Sequence, residues 1–270
     1  MAGLLHPIEG KLLKAVILAG GLGRRFQDTS GTVPLNGKQL AVASTGIKSL
    51  MPVAADKTLL DLSIERLVGA GFLDICLVVG PHNQAIGNHC ETRGHNVSFA
   101  IQAEPKGTAD AVLAAQSFTK EVDFLVVNSD NLYPQAALTQ LRKCRDPALV
   151  AFTRLGLVAR GNIVPQKIGA FAAVETDALG CLRRIVEKPD ALDDTSLISM
   201  NCWRFSAQIY QACLAITVSQ RGELELPTAV QFAIDHLGAQ FQTFRSEDGV
   251  LDLTTCWDAI GFASKLEAFL

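Results

Sequence analysis

AVILAGGLGRRF, residues 15–26, decides how the rest of the chain is read. Ala15 to Ala19 are small or apolar without interruption, the pattern of a strand buried on both faces. Gly20, Gly21 and Gly23 follow at once, so the chain leaves the sheet through a loop almost free of side chains. Such a turn presents several backbone N–H groups to one point, and Arg24 and Arg25 add fixed positive charge beside them, a combination suited to a polyphosphate. The same glycines also suit a plain strand-to-helix turn. The stretch is neither G-x-G-x-x-G nor a P-loop, so the choice rests on the remaining sequence.

With 270 residues and 49% hydrophobic composition, the chain is long enough to fill the core of one large α/β domain. Its 24 Lys and Arg are scattered among 27 Asp and Glu, for a net charge of -3. No basic stripe results, which argues against nucleic acid as a partner and favours a small charged substrate. Seven cysteines lie far apart with no Cys-x-x-Cys pair, several of them in apolar runs such as ICLVVG. They read as buried thiols in a reducing compartment rather than as a zinc or disulfide framework. The opening residues MAGLLHPIEGKLLK do not form a charged leader followed by a long apolar run, and no segment approaches the about eighteen apolar residues of a membrane span. A cytoplasmic protein without a membrane partner is expected; oligomeric state is not legible.

Residues 27–46 carry Gly, Pro, Ser, Thr and Asn without a sustained period and read as a long surface loop. Leu59, Leu60, Leu62, Ile64, Leu67 and Val68 follow helical spacing, closed by Gly69 and Gly71. DICLVVG is a second buried strand, residues 82–93 a helix, VSFAIQ a short strand, residues 109–118 a helix and FLVVN a further strand. This alternation predicts a parallel sheet with covering helices, which binds ligands at the carboxyl ends of its strands. ALVAFTRL, KIGAFAAVET, GCLRRIVEKP and ISMNCWRF are strands not separated by comparable helices, which predicts a mixed or antiparallel section laid over the first sheet. ELPTAVQFAIDHLG is a helix with Pro227 in its first turn, FQTF a strand, and TTCWDAIGFASKLEAFL a final helix capped by Thr254 or Thr255.

Asp130 follows the strand FLVVN, where a doubly wound sheet places functional groups, although Ser129, Asp130 and Asn131 are also turn formers. Asp252 again lies after a short apolar run and before a helix. One carboxylate from each half, with phosphates and water completing the shell, is a usual way to hold Mg²⁺. Asp258 suits the start of the last helix. Lys48 and Lys188 are candidate phosphate contacts, each with a solvated surface charge as its plain alternative. His89 and His95 are not spaced to share a helix face, so no metal site is expected from them. No Ser-His-Asp, Cys-His or G-x-S-x-G arrangement occurs.

Taken in order, AGGLGRRF, KSLMPV with KTLLD, QAEPKGTADAVLAA, FLVVNSD, VEKPD, MNCWRF and DLTTCWD resemble the sugar-phosphate nucleotidylyltransferases from about residue 15 onward. The resemblance implies a Rossmann-like three-layer α/β/α fold with a mixed, mostly parallel sheet, of the glycosyltransferase A-like design. It implies a single nucleotidyltransferase domain over residues 1–270, with a nucleotide-binding half at about 14–145 and a sugar-phosphate half at about 146–270. A left-handed β-helix of the kind some relatives carry is not expected within this length.

The implied reaction is Mg²⁺-dependent transfer of a nucleotidyl group from an NTP to a sugar 1-phosphate, releasing pyrophosphate. By resemblance, Ala19, Gly20, Gly21 and Gly23 cradle the triphosphate and Arg25 is the catalytic arginine. Lys48 is the catalytic lysine, with Lys38 in GKQL as its rival. Gln102, Gly107 and Thr108 read the base, and Gln102 favours UTP or dTTP. Glu187, Lys188 and Asn201 face the sugar phosphate, and Asp130 and Asp252 hold the metal. Where the family has Thr before its arginine, Pro before its lysine and Gly-Asp at the metal, this chain has Arg24, Ile47 and Ser129-Asp130; DLTT replaces Asp-x-Gly-Thr. Two alternatives stand beside this reading: a cytidylyltransferase for another phosphorylated alcohol such as phosphocholine, and a non-catalytic regulatory protein that keeps the nucleotide pocket. The chemistry agrees with the absence of a nucleophile motif, because one phosphate attacking another needs charge neutralisation and alignment rather than a covalent nucleophile.

Overall fold

A computed structural model describes residues 14–28, 35–193 and 195–270. The leader reading of residues 1–13 and part of the expected loop at 27–46 lie outside the described residues. In chain order the elements begin with β1 (Lys14–Leu18), α1 (Arg24–Gln27), α2 (Gly37–Thr45), a 3₁₀ turn (Lys48–Leu50), β2 (Pro52–Ala54), β3 (Lys57–Thr58) and α3 (Leu59–Gly69). Then come β4 (Asp74–Val79), α4 (Gln84–Arg93), β5 (Ser98–Ile101), α5 (Thr108–Ala114), α6 (Gln116–Thr119), β6 (Phe124–Asn128), β7 (Asn131–Leu132) and α7 (Gln135–Lys143). The rest is β8 (Ala148–Thr153), α8 (Arg154–Ala159), β9 (Ala172–Thr176), β10 (Leu182–Val186), β11 (Leu197–Phe205), α9 (Ile209–Ala215), α10 (Leu226–Leu237), β12 (Gln242–Ser246), β13 (Leu251–Asp252) and α11 (Asp258–Phe269).

The main sheet has the order β10-β9-β11-β6-β1-β4-β5, with β8 on the other side of β11 and β12 beyond it. β1 pairs in parallel with β4 and β6, and β4 with β5, as the alternation in the first half predicts. β11 runs antiparallel to β6, β8 and β9, and joins the two halves. The expectation that the second-half strands lie over the first sheet is therefore corrected: they extend the same sheet. The reason is burial, since every residue of β8 is buried. A strand covered on both faces belongs in the middle layer.

The period-two rule divides the core. Ala15 and Ile17 point into one apolar layer with Leu60, Leu67 and Leu138, whereas Val16 and Leu18 point into the opposite layer with Val112, Tyr210 and Val230. A third cluster, built around Phe26, Met51, Leu59, Leu132, Leu253 and Phe262, packs the segments beyond the strand ends.

Two sequence expectations need local correction. Within the expected loop at 27–46, α2 forms on a capping box: Gln39 N–H donates to Asn36 Oδ1 at 3.0 Å and Asn36 N–H to Gln39 Oε1 at 3.1 Å. Only Ala43 of that helix is buried, so no apolar period announced it. Neither Thr254 nor Thr255 caps α11, whose first turn is entered through Trp257 without a side-chain cap. Thr255 instead donates its N–H and Oγ1–H to Asp258 Oδ2, at 2.7 and 2.8 Å. Among the described residues, no helix is long and apolar enough to cross a membrane.

Candidate active site at the carboxyl edge of the sheet

Backbone hydrogen bonds just past the strand ends gather the expected residues. Ala19 N–H donates to Val78 O at 2.7 Å, Gln102 N–H to Val79 O at 2.9 Å and Ser129 N–H to Leu18 O at 3.1 Å. The ends of β1, β4, β5 and β6 thus carry Ala19, Gly20, Gln102 and Asp130 to one edge. Gly23 has φ +60°, and a Cβ there would lie 2.0 Å from Gly46 O. That close packing sets the glycine loop against the segment leading to Lys48, whose N–H donates to Gly46 O at 3.0 Å.

Lys48 Nζ meets Asp130 Oδ2 at 2.9 Å. Its rival Lys38 lies exposed in the first turn of α2 and makes no ion pair among the described residues. Arg25 is exposed on α1 and likewise makes no ion pair among the described residues. The two strongest positive groups are thus differently placed, one fixed on a carboxylate and one free toward solvent.

Asp252 comes from the other end of the chain. β13 pairs antiparallel with β7, placing Asp252 opposite Asn131, and Leu253 N–H donates to Asp130 O at 2.9 Å. Asp252 is 5% exposed. Asn131 Nδ2 donates to its Oδ1 at 2.8 Å and Thr254 N–H to its Oδ2 at 3.1 Å. Burial, and then the charge of Asp130, push its carboxyl up to about 6. Two carboxylates held this close, with Lys48 as the nearby cation, form a donor set that favours a hard divalent ion.

Gln102 is buried, and both amide hydrogens are used: Nε2 donates to Gly107 O at 3.0 Å and to Asp110 Oδ2 at 2.8 Å. Its Oε1 faces Gly20, where an added Cβ would lie only 2.6 Å away. Thr108 Oγ1 accepts from Leu226 N–H at 2.9 Å at the start of α10, so this hydroxyl braces α10 as well as lying near Gln102.

Glu187, Lys188 and Asn201 are the residues expected on the sugar side. Lys188 and Asn201 have φ +46° and +56°, two of only three non-glycine residues with positive φ among the described residues. Such conformations persist where surrounding structure enforces them, often at functional sites. Asn201 sits in the irregularity of β11 between Ser199 and Trp203, where that strand passes from pairing with β9 to pairing with β6. Burial, followed by the charge of Glu225, pushes Glu187 up to about 7, against the opposing pull of Arg221. Arg221 Nη2 lies 3.6 Å from Glu187 Oε1 but 2.5 Å from Glu225 Oε1.

Several residues in this network escaped the sequence reading. Asn162 Oδ1 accepts from Asp252 N–H at 2.7 Å, while its Nδ2 donates to Asp252 O at 2.8 Å. Tyr133 OH donates to Met200 O at 2.6 Å and accepts from Asn128 N–H at 3.2 Å, tying the end of β6 to the irregularity in β11. Asp110 holds Gln102, and Arg221 faces Glu187. Only the nearness of Tyr133 to Asp130 in the chain offered a signal for any of them.

Residues 14–268 match the family model described as nucleotidyl transferase. A glucose-1-phosphate thymidylyltransferase of Streptomyces griseus is 32% identical over 230 residues, covering 83% of this chain and 58% of that protein. A UTP–glucose-1-phosphate uridylyltransferase of Haloferax volcanii is 27% identical over 245 residues, covering 89% and 91%. The chain spans under two thirds of the length of the Streptomyces relative. A solved UDP-glucose pyrophosphorylase complexed with UDP-glucose matches with TM-score 0.74 at 16% identity, covering 95% of this chain and 99% of that one. Its likeness supports the three-layer α/β fold seen here. The strand order, the glycine loop at the carboxyl edge and the match over residues 14–268 agree: this chain belongs to the nucleotidyl transferase family.

Proposed function

We propose that this chain transfers UMP or dTMP from the NTP to a sugar 1-phosphate, forming an NDP-sugar and pyrophosphate, with residues 14–145 and 146–270 acting as the two halves of one domain. The observation that carries this reading is the convergence of Lys48, Asp130 and Asp252 beside the glycine loop, through Lys48–Asp130 and Asn131–Asp252 contacts that span 82 and 121 positions. The relatives named for thymidylyl and uridylyl transfer to glucose 1-phosphate support the substrate class.

In this reading the backbone N–H groups of Gly20, Gly21 and Gly23 hold the triphosphate and the exposed Arg25 closes on it. Gln102 Oε1, whose amide partners are already bound elsewhere, accepts the N3–H of uracil or thymine beside Gly107 and Thr108. Glu187 and Asn201 hydrogen-bond the sugar hydroxyls, while Lys188 and Lys48 offset phosphate charge. Asp130 and Asp252 would hold Mg²⁺, which when bound supplies charge neutralisation to the phosphate oxygens. A sugar phosphate oxygen forms a bond to the α-phosphorus as the bond to the bridging oxygen of pyrophosphate breaks. The attacking oxygen is already anionic, so the residues position and neutralise rather than abstract a proton.

Pyrophosphate release measured over a panel of NTPs and sugar phosphates tests the proposal. Turnover with UTP or dTTP and glucose 1-phosphate is expected, and turnover only with CTP and phosphocholine selects the alternative. Nucleotide binding without turnover on any sugar phosphate overturns the reading.

A further inference from the structure

A second cluster lies on α3, α4 and the turn after α4, none of which carries a residue of the proposed nucleotide or sugar site. Its centre is Asp61, 1% exposed in the first turn of α3. Thr58 fixes one carboxylate oxygen, its N–H and Oγ1–H donating to Oδ2 at 2.7 and 2.9 Å. The other oxygen, Oδ1, faces the Nε2 atoms of His89 at 2.9 Å and His95 at 2.6 Å. The spacing of these histidines predicts no shared helix face, and none forms: the two rings meet across the end of α4 instead. α4 ends at Arg93, Gly94 takes φ +70°, and His95 N–H donates back to Cys90 O at 2.9 Å. This helix-terminating turn folds His95 back beside His89, a convergence that no helical period describes.

We propose that Asp61, His89 and His95 form a binding site for one divalent transition-metal ion of the zinc class. The three ligand atoms lie within 4.8 Å of one another. Two imidazole nitrogens with one carboxylate oxygen is a donor set for Zn²⁺ and its neighbours, whereas Mg²⁺ demands oxygen ligands in octahedral array. Ligand bonds of about 2.0–2.1 Å in a tetrahedron put neighbouring donors about 3.3 Å apart, so the two contacts to Oδ1 need to open only by about 0.4 and 0.7 Å. In the bound state each imidazole would carry its proton on Nδ1 and turn the Nε2 lone pair to the ion. Thr58 supplies the outer hydrogen bonds that keep a ligating carboxylate oriented. The histidine side chains are 19% and 16% exposed, leaving access for the ion and a water as fourth ligand. Arg93 Nη2, 3.5 Å from Oδ2, opposes a cation. It sits on the oxygen that Thr58 holds rather than on the one facing the histidines, and it also donates to Asp56 O. The bound ion would link the start of α3 to the end of α4.

Co²⁺ titration of the metal-stripped full chain, followed by visible absorption, tests this. The wild type is expected to bind one Co²⁺ with the spectrum of four-coordinate cobalt, displaced by Zn²⁺ but not by excess Mg²⁺. His89→Ala and His95→Ala should each weaken binding more than the ~10–100-fold that loss of an outer-shell partner costs. Asp130→Asn should leave the spectrum intact. A spectrum that survives both histidine variants but disappears in Asp130→Asn places the ion elsewhere and overturns the proposal, as does a wild type that takes up no Co²⁺ or Zn²⁺. Hydrogen exchange gives a reading independent of any variant. Zn²⁺ should slow exchange in peptides covering Thr58–Asp61 and residues 84–97, and unchanged exchange there overturns the proposal.

Discussion

Asp252 and Asp61 are both nearly inaccessible carboxylates at the start of a loop or helix, yet their surroundings push them in opposite directions. Burial raises both. At Asp61, hydrogen bonds from His95, from the Thr58 backbone and from His89 outweigh burial and hold the carboxyl far below its ordinary range. At Asp252, the hydrogen bond from Thr254 and the pull of Lys48 do not offset burial together with the charge of Asp130, and the carboxyl rises to about 6. The difference separates a carboxylate satisfied by its own protein from one left with unmet demand for positive charge. An unmet demand suits a hard ion, whereas Asp61, already served by hydrogen-bond donors, strengthens the local fold and takes an ion only by exchanging the histidine contacts for metal bonds.

Removing one carboxylate at each place should break the contrast most visibly. Asp130→Asn removes a proposed metal ligand and the partner of Lys48, so kcat in the pyrophosphate-release assay should fall by at least ~10²-fold with little change in Tm. Asp61→Asn removes the acceptor at the centre of a buried network. It should cost about 1–3 kcal/mol of stability in denaturant unfolding while kcat stays within a few-fold. Wild-type turnover by Asp130→Asn, or loss of kcat without loss of stability in Asp61→Asn, would reverse the roles assigned here.

The folded carboxyl of Asp252 lies above its ordinary 3.8, so the folded state binds the proton more tightly than the unfolded chain. The corresponding stability is present below about 3.8 and is lost as pH rises toward about 6, on the order of 1–3 kcal/mol. Mg²⁺ competes with that proton. Its stabilisation of Tm should therefore be clear above about pH 6 and fade below it, as mass action on a deprotonated site requires. Asp252→Asn should flatten both dependences. A Mg²⁺ effect on Tm that is independent of pH and survives Asp252→Asn would detach this residue from the ion.

The parts of the molecule that were legible in the sequence are those with local periodicity. The continuous apolar runs of β1, β4 and β6 marked the parallel sheet, and the glycines after Leu18 marked its ligand edge, because strand burial and turn chemistry are properties of adjacent residues. The joining of the second half into the same sheet was not legible. It depends on β11 changing partners around Asn201, which no single segment records. α2 was hidden for a different reason: its stability rests on a capping box and not on an apolar face. At the site, Asp130 and Lys48 stand out at strand and turn boundaries. Asn162, Tyr133 and Asp110 are ordinary turn or helix residues whose role comes from the backbone groups and side chains they meet after folding. His89 and His95 are the plainest case, since a turn beyond the helix, and not the helix itself, brings them together.

Glu187 sharpens the comparison with the smallest expected effect. Like Asp252, it is raised first by burial and next by a neighbouring carboxylate, here Glu225, to about 7. Unlike Asp252, it has an arginine within reach that is already engaged more closely by Glu225. Its protonated form favours the folded state, so its contribution is present below about 4.5 and is lost as pH rises through about 7. Glu187→Gln keeps the shape and removes that titration. The variant should match wild type in stability near pH 4.5 and exceed it by up to about 1 kcal/mol near pH 8 in denaturant unfolding. If Glu187 also accepts sugar hydroxyls, KM for the sugar phosphate rises several-fold while KM for the NTP stays the same. A stability gain with both KM values unchanged would leave Glu187 as a strained neighbour of Arg221 and move the proposed sugar recognition to Asn201, whose positive φ marks a backbone position enforced by its surroundings.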